Sequence, residues 1–222
     1  VFRTVDPTLE IRPCVNIGDR APEGTRLLEI VGNARSILKG ERVALNFFAR
    51  MSGISTLTQK FVQQLEGTKA QLLDTRKTTP GLRILEKAAT VIGGARNHRF
   101  GLCDGVIVKE NHIRAAGGIT AAVERLLESL PPTLKVEVEV TNLEEVEEAI
   151  EAGADLIMLD NMSLAEMAMA VNTIRGRVLI EASGSVRLET ARAVAEIGVD
   201  FISTGAILHS ANWADLSLQF YL

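Results

Sequence analysis

The stretch Lys135–Gly184 reads KVEVEVTNLEEVEEAIEAGADLIMLDNMSLAEMAMAVNTIRGRVLIEASG, and it repeats one pattern three times. A short apolar run ends near a carboxylate, at Glu139, Asp160 and Glu181, and amphipathic stretches join the runs. Both steps between these carboxylates are 21 positions long. A near-constant step is typical of parallel βα units whose strand ends meet at one mouth. The stretch therefore predicts a barrel-like α/β fold with these acids at the mouth.

The same alternation of strands and helices extends to both sides of this stretch. Short apolar runs predict strands, and longer stretches with one apolar face predict helices. The predicted strands are Gln71–Leu73, Gly105–Val108, Lys135–Val140, Leu156–Leu159, Arg177–Ile180 and Val199–Ser203. The predicted helices are Gly81–Ile92, Ile119–Leu130, Leu143–Ala152, Ser163–Thr173 and Leu188–Ile197. This order indicates a parallel sheet covered by helices.

The beginning of the chain has a different pattern. Apolar and polar residues alternate over Ile11–Gly32 around turn residues, which predicts short antiparallel strands in a structural cap. Two helices are predicted to follow, Ala34–Arg50 and Leu57–Leu65, with a break at Ser52-Gly53. The chain starts at Val1 without a methionine, and we expect a natural N-terminal part to precede it.

Composition limits the class of protein. With 222 residues, 46% of them hydrophobic and 23% charged, the chain is long enough for one globular domain, or one large and one small domain. The apolar runs are too short to span a bilayer, and no secretory leader is recognisable, so we expect a cytoplasmic protein. Cys14 and Cys103 lack metal-ligand spacing, and we expect no disulfide between them.

The positive charges are concentrated in one segment. Asp74–Arg114 holds eight Lys or Arg against four Asp or Glu, whereas the rest of the chain holds sixteen against twenty-four. An acidic protein with such an island is typical of proteins that bind a small, highly charged anion. A nucleic-acid footprint normally makes a whole domain basic, which argues against that partner.

Five side chains of the island form a dense set of predicted donors: Arg76, Lys77, His98, Arg99 and Lys109. Guanidinium groups match carboxylates in a bidentate manner, so several arginines favour a substrate with more than one carboxylate. Asn97-His98-Arg99 follows Gly93-Gly94, which we interpret as a loop that approaches a ligand closely. The alternative is a surface ion-pair network, whose acidic members would be Glu86, Asp104 and Glu110.

Glu139 and Asp160 offer hard oxygen ligands on neighbouring strand ends. They suit Mg²⁺ held partly through water and shared with a diphosphate. In VEVEV, Glu137 and Glu139 face the same side, so we expect Lys77 or Lys109 to compensate their charge. A solvated edge strand is the alternative.

Glycine-containing turns follow the last two predicted strands, at Ser183-Gly184 and Thr204-Gly205. Such turns present backbone N–H groups, and this is the usual location of a phosphate site in barrels. His209 and Trp213 are interpreted as packing or capping residues.

Nine short segments, in order along the chain, carry a family resemblance. They are ERVALN (Glu41–Asn46), SGIST (Ser52–Thr56), DTRKTTPGLR (Asp74–Arg83), NHR (Asn97–Arg99), KENH (Lys109–His112), VEVEV (Val136–Val140), LDNM (Leu159–Met162), EASGS (Glu181–Ser185) and STGAILHS (Ser203–Ser210). With these segments the chain resembles the quinolinate phosphoribosyltransferase family, the carboxylating nicotinate-nucleotide diphosphorylases among the type II phosphoribosyltransferases. The chain departs from the family pattern at Ala95 and Ser185, where glycine is usual.

The resemblance implies a fold and a division of the chain. The family has an N-terminal α/β sandwich domain and an incomplete, seven-stranded α/β barrel related to TIM barrels. Residues 1–50 then correspond to the C-terminal part of the sandwich domain and a linking helix. Residues 51–222 correspond to the catalytic barrel domain with a C-terminal tail.

The resemblance also implies a reaction. Quinolinate and phosphoribosyl diphosphate give nicotinate mononucleotide, diphosphate and CO₂ in the de novo biosynthesis of NAD, with Mg²⁺ as the cofactor. The catalytic residues would be Lys77, Lys109, Glu139 and Asp160. Quinolinate would bind Arg42, Arg76, His98, Arg99 and Lys109. Phosphoribosyl diphosphate would bind Lys77, Glu139, Asp160, Glu181, Ser183, Gly184 and Gly205.

By the same resemblance we expect a homodimer, with possible further assembly, in which Arg42 reaches the site of the neighbouring subunit. Three other functions stay open on sequence grounds. The chain could be a related phosphoribosyltransferase acting on another pyridine acid, or a barrel isomerase or aldolase using Lys109 as a Schiff base. It could also be a barrel that binds quinolinate without catalysis.

Overall fold

The computed structural model describes residues 1–221, and it contains one large parallel sheet. Leu222, the last residue of the predicted C-terminal tail, lies outside the described residues. After two N-terminal strands, the strands of this sheet are β3 (Gln71–Leu73), β4 (Val106–Val108), β5 (Val136–Val140), β6 (Leu156–Asp160), β7 (Leu179–Ser183) and β8 (Phe201–Ser203). Their order is β3-β8-β7-β6-β5-β4, and every pairing is parallel. The six predicted strands are confirmed, with small shifts of their ends.

Helices connect the strands and cover one face of the sheet. Within the described residues they are α1 (Phe2–Val5), α2 (Ala34–Leu65), α3 (Arg83–Ile92), α4 (Glu110–Ala116), α5 (Ile119–Leu127), α6 (Leu143–Glu151), α7 (Leu164–Ile174), α8 (Leu188–Glu196) and α9 (Ala206–His209). The short helices α1, α4 and α9 were not predicted. Helices α4 and α9 each follow a strand end whose polar residues favoured a loop.

The sheet is an open barrel. Beyond β3 a single parallel bridge joins Leu73 to Arg96, in the place of a further strand. Within residues 1–221 no strand ladder connects this edge to β4, so the barrel stays incomplete. The fold is therefore the incomplete α/β barrel that the resemblance implied, with six strands and one bridge where seven strands were expected.

The two faces of the sheet differ in chemistry. In β5 the three valines are fully buried in the core formed with the helices, whereas Glu137 and Glu139 point to the opposite face. The same alternation continues in β6 and β7, where Asp160 and Glu181 join the polar face. The residues of this polar face and the loops beyond it supply the candidate site.

The N-terminal strands form the predicted antiparallel pair. Glu10–Pro13 (β1) pairs with Leu28–Val31 (β2). A small separate core lies beneath them, built from Phe2, Leu9 and Ile37.

The predicted break between two helices at Ser52-Gly53 is wrong, because α2 runs without interruption over 32 residues. A Cβ built on Gly53 would lie 2.0 Å from the backbone oxygen of Asn212. The glycine therefore allows the C-terminal segment to cross the helix at close range, and it does not end the helix. Because this contact comes from 159 positions further along the chain, it has no local sequence signal. The predicted division of the chain at residue 50 stays a prediction.

Among the described residues, no helix combines the length and apolar character needed to cross a bilayer.

Candidate active site

The carboxyl ends of β5, β6 and β7 bring the three repeated acids to one edge of the sheet. In the strand register, Glu139 pairs with Met158, and Met158 pairs with Glu181. Asp160 lies two residues beyond Met158 and pairs with Ser183. Because residues two apart in a strand share a face, Glu139, Asp160 and Glu181 all belong to the polar face. The predicted convergence of the three acids is confirmed.

A buried triad of His98, Glu137 and Glu181 lies in this face. The Nε2 atom of His98 is 3.3 Å from Oε2 of Glu137 and 3.4 Å from Oε2 of Glu181. Glu181 is 1% exposed and Glu137 is 6% exposed. Neither oxygen of Glu181, nor Oε1 of Glu137, has a hydrogen-bond partner among the described atoms. The ring of His98 is therefore the main compensation for two buried carboxylates.

Burial and charge act together on the pKa values of this triad. Burial disfavours the charged ring of His98, but the nearby carboxylates of Glu137 and Glu181 outweigh it and raise the pKa to about 9. Burial raises the pKa of Glu137 to about 7, although His98 opposes that rise. The triad thus favours a proton on the imidazole.

The hydrogen bond at Nδ1 of His98 determines whether Nε2 carries a proton or is free to bind a metal ion. Nδ1 accepts a hydrogen bond of 2.7 Å from the backbone N–H of Arg99. The neutral ring must then carry its proton on Nε2, and the charged ring carries one there too. A second proton on Nδ1 conflicts with the Arg99 N–H, so ring protonation requires that bond to open. The triad has the spacing of a metal site, but an Nε2 atom that carries hydrogen is a donor and not a metal ligand.

Lys109 forms an ion pair with Glu139, and this confirms the expected compensation by a lysine for Glu139. For Glu137 the expectation is wrong, because the group facing that carboxylate is His98. The pair is partly exposed at the mouth, where Glu139 is 15% accessible and Lys109 is 44% accessible. Asp160 accepts a hydrogen bond of 2.9 Å from the side chain of its neighbour Asn161. Both predicted metal carboxylates thus lie at the rim with open access to solvent.

Three other predicted cations are without an acidic partner. Among residues 1–221, no ion pair involves Arg76, Lys77 or Arg99. Arg76 and Lys77 are exposed on the loop after β3. Arg99 donates to the backbone oxygen of Gly105 at 3.0 Å, and its buried Nε has no partner. Burial lowers the pKa of Arg99, and the positive charge of Arg76 lowers it further. The two guanidinium groups therefore belong to the same positively charged region.

The alternative of a surface ion-pair network is therefore wrong for these cations. Its three acidic members have other partners. Glu86 pairs with Arg50 and Glu110 pairs with Arg114. Asp104 accepts hydrogen bonds from the backbone N–H groups of Phe100 and Gly101.

The glycine turns after β7 and β8 lie against residues of neighbouring loops. A Cβ on Gly205 would lie 2.9 Å from Cδ of Lys77, so the lysine passes directly over this turn. A Cβ on Gly184 would lie 2.4 Å from Oδ1 of Asn161. The hydroxyl groups of Ser183 and Ser203 are 3.1 Å apart and link the two strand ends. The predicted phosphate turns are thus adjacent, with Lys77 beside one of them.

Two residues near these turns have left-handed backbone. Asn161 has φ 54° and Ser185 has φ 53°. The left-handed region favours glycine, which explains why glycine is usual at the position of Ser185. The Ser185 hydroxyl donates to Oδ1 of Asn161 at 3.3 Å. Asn161 was missed by the sequence reasoning, although its place directly after a predicted strand-end acid was a usable signal.

Arg42 lies apart from the other predicted site residues. It is exposed on α2, eight positions before Arg50. Apolar side chains on the same helix are also exposed, namely Leu38, Val43, Phe47 and Phe48.

His112 caps α4 by accepting the backbone N–H of Lys109. Both cysteines are free and exposed.

The interpretation of Gly93-Gly94 as a close approach to a ligand is wrong for Gly93. A Cβ at this position would lie 2.5 Å from the backbone oxygen of Ser55 in α2. The glycine therefore permits packing of α3 on α2.

The sequence reasoning also gave no role to Asp74 and Lys87, which form a buried ion pair beneath the loops of the site.

Comparisons with known proteins identify the family of the chain. The family model described as "Quinolinate phosphoribosyl transferase, C-terminal domain" matches residues 54–219, and the model for the N-terminal domain of the same family matches residues 1–52. The chain is 49% identical to a protein of Synechocystis sp. named "Probable nicotinate-nucleotide pyrophosphorylase [carboxylating]", covering 99% of this chain and 75% of that protein. It is 44% identical to the chloroplastic enzyme of the same name from Arabidopsis thaliana, covering 99% of this chain and 68% of that protein.

Solved structures give the same result. The crystal structure of NadC from Streptococcus pyogenes superposes with a TM-score of 0.94 at 41% identity, covering 99% of this chain and 78% of that one. The nicotinate-nucleotide pyrophosphorylase from Francisella tularensis has a TM-score of 0.94 at 45% identity, covering 98% and 78%. With both domain models matched and relatives this similar over almost the whole chain, the protein belongs to the quinolinate phosphoribosyltransferase family.

Proposed function

We propose that this chain transfers the phosphoribosyl group of phosphoribosyl diphosphate to quinolinate and releases CO₂, giving nicotinate mononucleotide and diphosphate for NAD biosynthesis. One observation carries the proposal. Arg76, Lys77 and Arg99 have no acidic partner among residues 1–221, yet they lie around a face that holds three carboxylates. Such a site is suited to a dianion on its cationic side and a metal-bound diphosphate on its acidic side.

The quinolinate side of the site is formed by Arg76, Arg99 and Lys109. The guanidinium groups of Arg76 and Arg99 lie in one positively charged region, and they match the two carboxylates of the pyridine ring. His98 takes part mainly by orientation, because both of its ring nitrogens already face protein groups. Its Nδ1 accepts the backbone N–H of Arg99 when the ring is neutral, and its Nε2 faces the two acids below the ring site.

The phosphoribosyl diphosphate side is formed by the loops after β3, β7 and β8. Lys77 lies against Gly205, so one ammonium group can neutralise a phosphate held by that turn. The remaining predicted ligands of this substrate are Glu139, Asp160, Glu181, Ser183 and Gly184.

Mg²⁺ is proposed to bind at Glu139 and Asp160. The donor chemistry fits, since both are carboxylates at the solvent-accessible rim, where water and diphosphate oxygens can complete the coordination. When bound, the ion neutralises the charge of the leaving diphosphate. Lys109 holds the Glu139 carboxylate in place before the substrate arrives.

The reaction needs orientation and charge stabilisation, and no covalent enzyme intermediate. The pyridine nitrogen attacks the anomeric carbon while the bond to diphosphate breaks, and the electron pair leaves with the diphosphate. Lys77 stabilises that growing negative charge, and the carboxylates of the polar face stabilise the positive ribosyl carbon. When CO₂ leaves the adjacent ring carbon, the electron pair of the broken C–C bond stays on that carbon, where the neighbouring positive nitrogen stabilises it. A proton from solvent then adds to this carbon and gives nicotinate mononucleotide. Arg76 and Arg99 hold the ring so that this carboxylate stays in place.

A product assay with matched arginine variants tests the proposal. Arg99→Ala removes a charged donor to quinolinate, so we expect the quinolinate KM to rise about tenfold to a hundredfold, with the phosphoribosyl diphosphate KM within about twofold. Arg96→Ala is the control, because Arg96 bonds to Gln71 outside the site. Equal losses for both substrates would contradict the division of the site, and absence of nicotinate mononucleotide with wild-type enzyme would refute the function.

We further propose a homodimer in which Arg42 enters the partner's site. The exposed apolar side chains around Arg42 support an interface on this part of α2. At a low quinolinate concentration, where both single variants turn over slowly, mixing Arg42→Ala and Arg99→Ala subunits should restore part of the activity, because one of the two sites in a hybrid then has both arginines. Hybrid dimers that form without recovery would place Arg42 in its own subunit's site. Further assembly beyond a dimer stays open.

The cytoplasmic location stays a prediction, since plant relatives carry names that include "mitochondrial" or "chloroplastic". No specific observation favours another function. A related enzyme for a mono-acid would need fewer unpaired cations. A Schiff-base lysine needs a desolvated site, whereas Lys109 is 44% exposed and paired with Glu139.

A further inference from the structure

Helix α3 carries two adjacent charged residues that are both buried. Glu86 is fully buried and Lys87 is 2% exposed. Adjacent helical residues point about 100° apart, so the two side chains reach different parts of the structure. Buried charges are costly unless they are paired and hydrogen-bonded, and an apolar residue would pack here with less penalty. Their partners therefore indicate what they contribute.

Glu86 holds the loop that carries Arg76 and Lys77. Its Oε2 accepts the backbone N–H of Thr79 at 3.0 Å, and its Oε1 accepts the Thr79 hydroxyl at 2.8 Å. Nη2 of Arg50 donates to Oε1 of Glu86 at 2.9 Å, and the same nitrogen donates to the backbone oxygen of Leu208 at 2.7 Å. Leu208 lies in α9, which begins directly after the Gly205 turn. The network therefore connects the Lys77 loop with the turn that Lys77 covers.

Lys87 holds a different loop, the one that carries His98 and Arg99. Its ammonium group pairs with Asp74 and donates to the backbone oxygen of His98 at 2.9 Å. Asp74 in turn accepts the backbone N–H of His98 at 2.9 Å. The Asn97 amide is assigned with its nitrogen toward Asp74, at 2.6 Å, since this orientation satisfies both groups. Both main-chain polar groups of His98 are thus fixed by one buried pair.

We propose that Glu86 and Lys87 are positioning residues with separate targets. Lys87, through Asp74, sets the place of His98 and Arg99 and so controls quinolinate binding. Glu86, through Thr79 and Arg50, sets the place of Lys77 over Gly205 and so controls phosphoribosyl diphosphate binding. The inference rests on the proposed function for the identity of the two substrates, and it extends that function to residues below the site.

The test compares Michaelis constants of Lys87→Gln and Glu86→Gln in the full chain. Lys87→Gln should raise the quinolinate KM about tenfold and leave the phosphoribosyl diphosphate KM within about twofold, since small displacements of a substrate-positioning group are costly. Glu86→Gln should raise the phosphoribosyl diphosphate KM about tenfold, and more than the quinolinate KM. Should Lys87→Gln not fold, Asp74→Asn weakens the same contacts at nearly the same volume and should give the same ratio of KM values.

Ala89→Gly is the matched control on the same helix. It lowers helix stability by about 1 kcal/mol without changing any side-chain contact to either loop. It should lower the Tm and leave both KM values unchanged. Parallel rises of both KM values in Lys87→Gln and Glu86→Gln, or KM values that simply follow the Tm, would overturn the inference. A wild-type enzyme that forms no nicotinate mononucleotide would instead refute the proposed function, and with it the substrate identities used here.

Discussion

Two groups of charged residues lie a short distance apart, and they have opposite surroundings. At the mouth of the sheet Arg76 and Lys77 are exposed and form no ion pair with any described residue. Beneath them Asp74, Glu86 and Lys87 are buried and satisfied by several contacts each. The difference teaches how the two groups are used. Charges left without protein partners are available to a ligand, while fully paired charges hold the frame that presents them.

The largest effect is expected from breaking the buried pair. Lys87→Met leaves Asp74 without its cation in a site with no solvent access, so we expect a loss of about 3–5 kcal/mol in the free energy of unfolding. Burial already raises the pKa of Asp74 in spite of Lys87, which indicates how unfavourable the lone carboxylate is. The measurement is denaturant unfolding at fixed protein concentration.

A double-mutant cycle sharpens this result. The variant Asp74→Asn with Lys87→Met removes both charges and should lose less than the sum of the two single variants. Losses that simply add would mean that the two side chains stabilise the fold independently, and the comparison between the two groups would fail.

A smaller effect is expected at the boundary between the groups, where the triad of His98, Glu137 and Glu181 lies. Glu181→Gln removes one of the charges that raise the pKa of His98, so its midpoint should fall from about 9 toward 6.5. Because the folded pKa is raised, the stabilisation from His98 is complete below 6.5 and is lost as the pH rises through about 9. Both changes are measurable, by NMR titration of the ring and by unfolding as a function of pH.

The control for this titration is Glu196→Gln. Glu196 is exposed on α8 and pairs with Arg192, outside the triad. It should leave the His98 midpoint unchanged. A midpoint that also stays near 9 in Glu181→Gln would remove Glu181 from the electrostatics of the ring.

The smallest effect is expected for a surface ion pair. Lys69 and Asp200 are 2.7 Å apart, but Lys69 is 57% exposed, so solvent screens the pair. Lys69→Ala should reduce the free energy of unfolding by less than about 1 kcal/mol, measured by the same denaturant unfolding. A loss as large as that of Lys87→Met would show that burial does not separate the two classes of charge.

Much of the barrel could be predicted from the sequence because its signals are local. Alternating residues in VEVEV and the regular return of Glu139, Asp160 and Glu181 gave the strands, their polar face and the edge where the site lies. Each of these features depends on residues within one strand or one βα unit. The family segments are also short and local, so the resemblance to the family can be recognised in the sequence alone.

The remaining features depend on contacts between distant parts of the chain. The partner of Glu137 is His98 and not a lysine, because the loop after α3 folds over the sheet. The close approach of Asn212 to Gly53 makes a helix-breaking residue acceptable inside α2. Glu86 and Lys87 look like ordinary surface charges in the sequence, and only packing against Thr79 and His98 gives them their roles.

The uninterrupted helix α2 has a mechanical consequence. Its 32 residues span about 48 Å, and they cross from the region matched by the N-terminal family model into the region matched by the C-terminal one. Because the helix is continuous there, the two regions are not joined at residue 52 by a flexible linker that could act as a hinge. Arg42 and Arg50 lie eight positions apart on this helix, so we expect a displacement at Arg42 to reach Arg50, which donates to both Glu86 and Leu208 of α9.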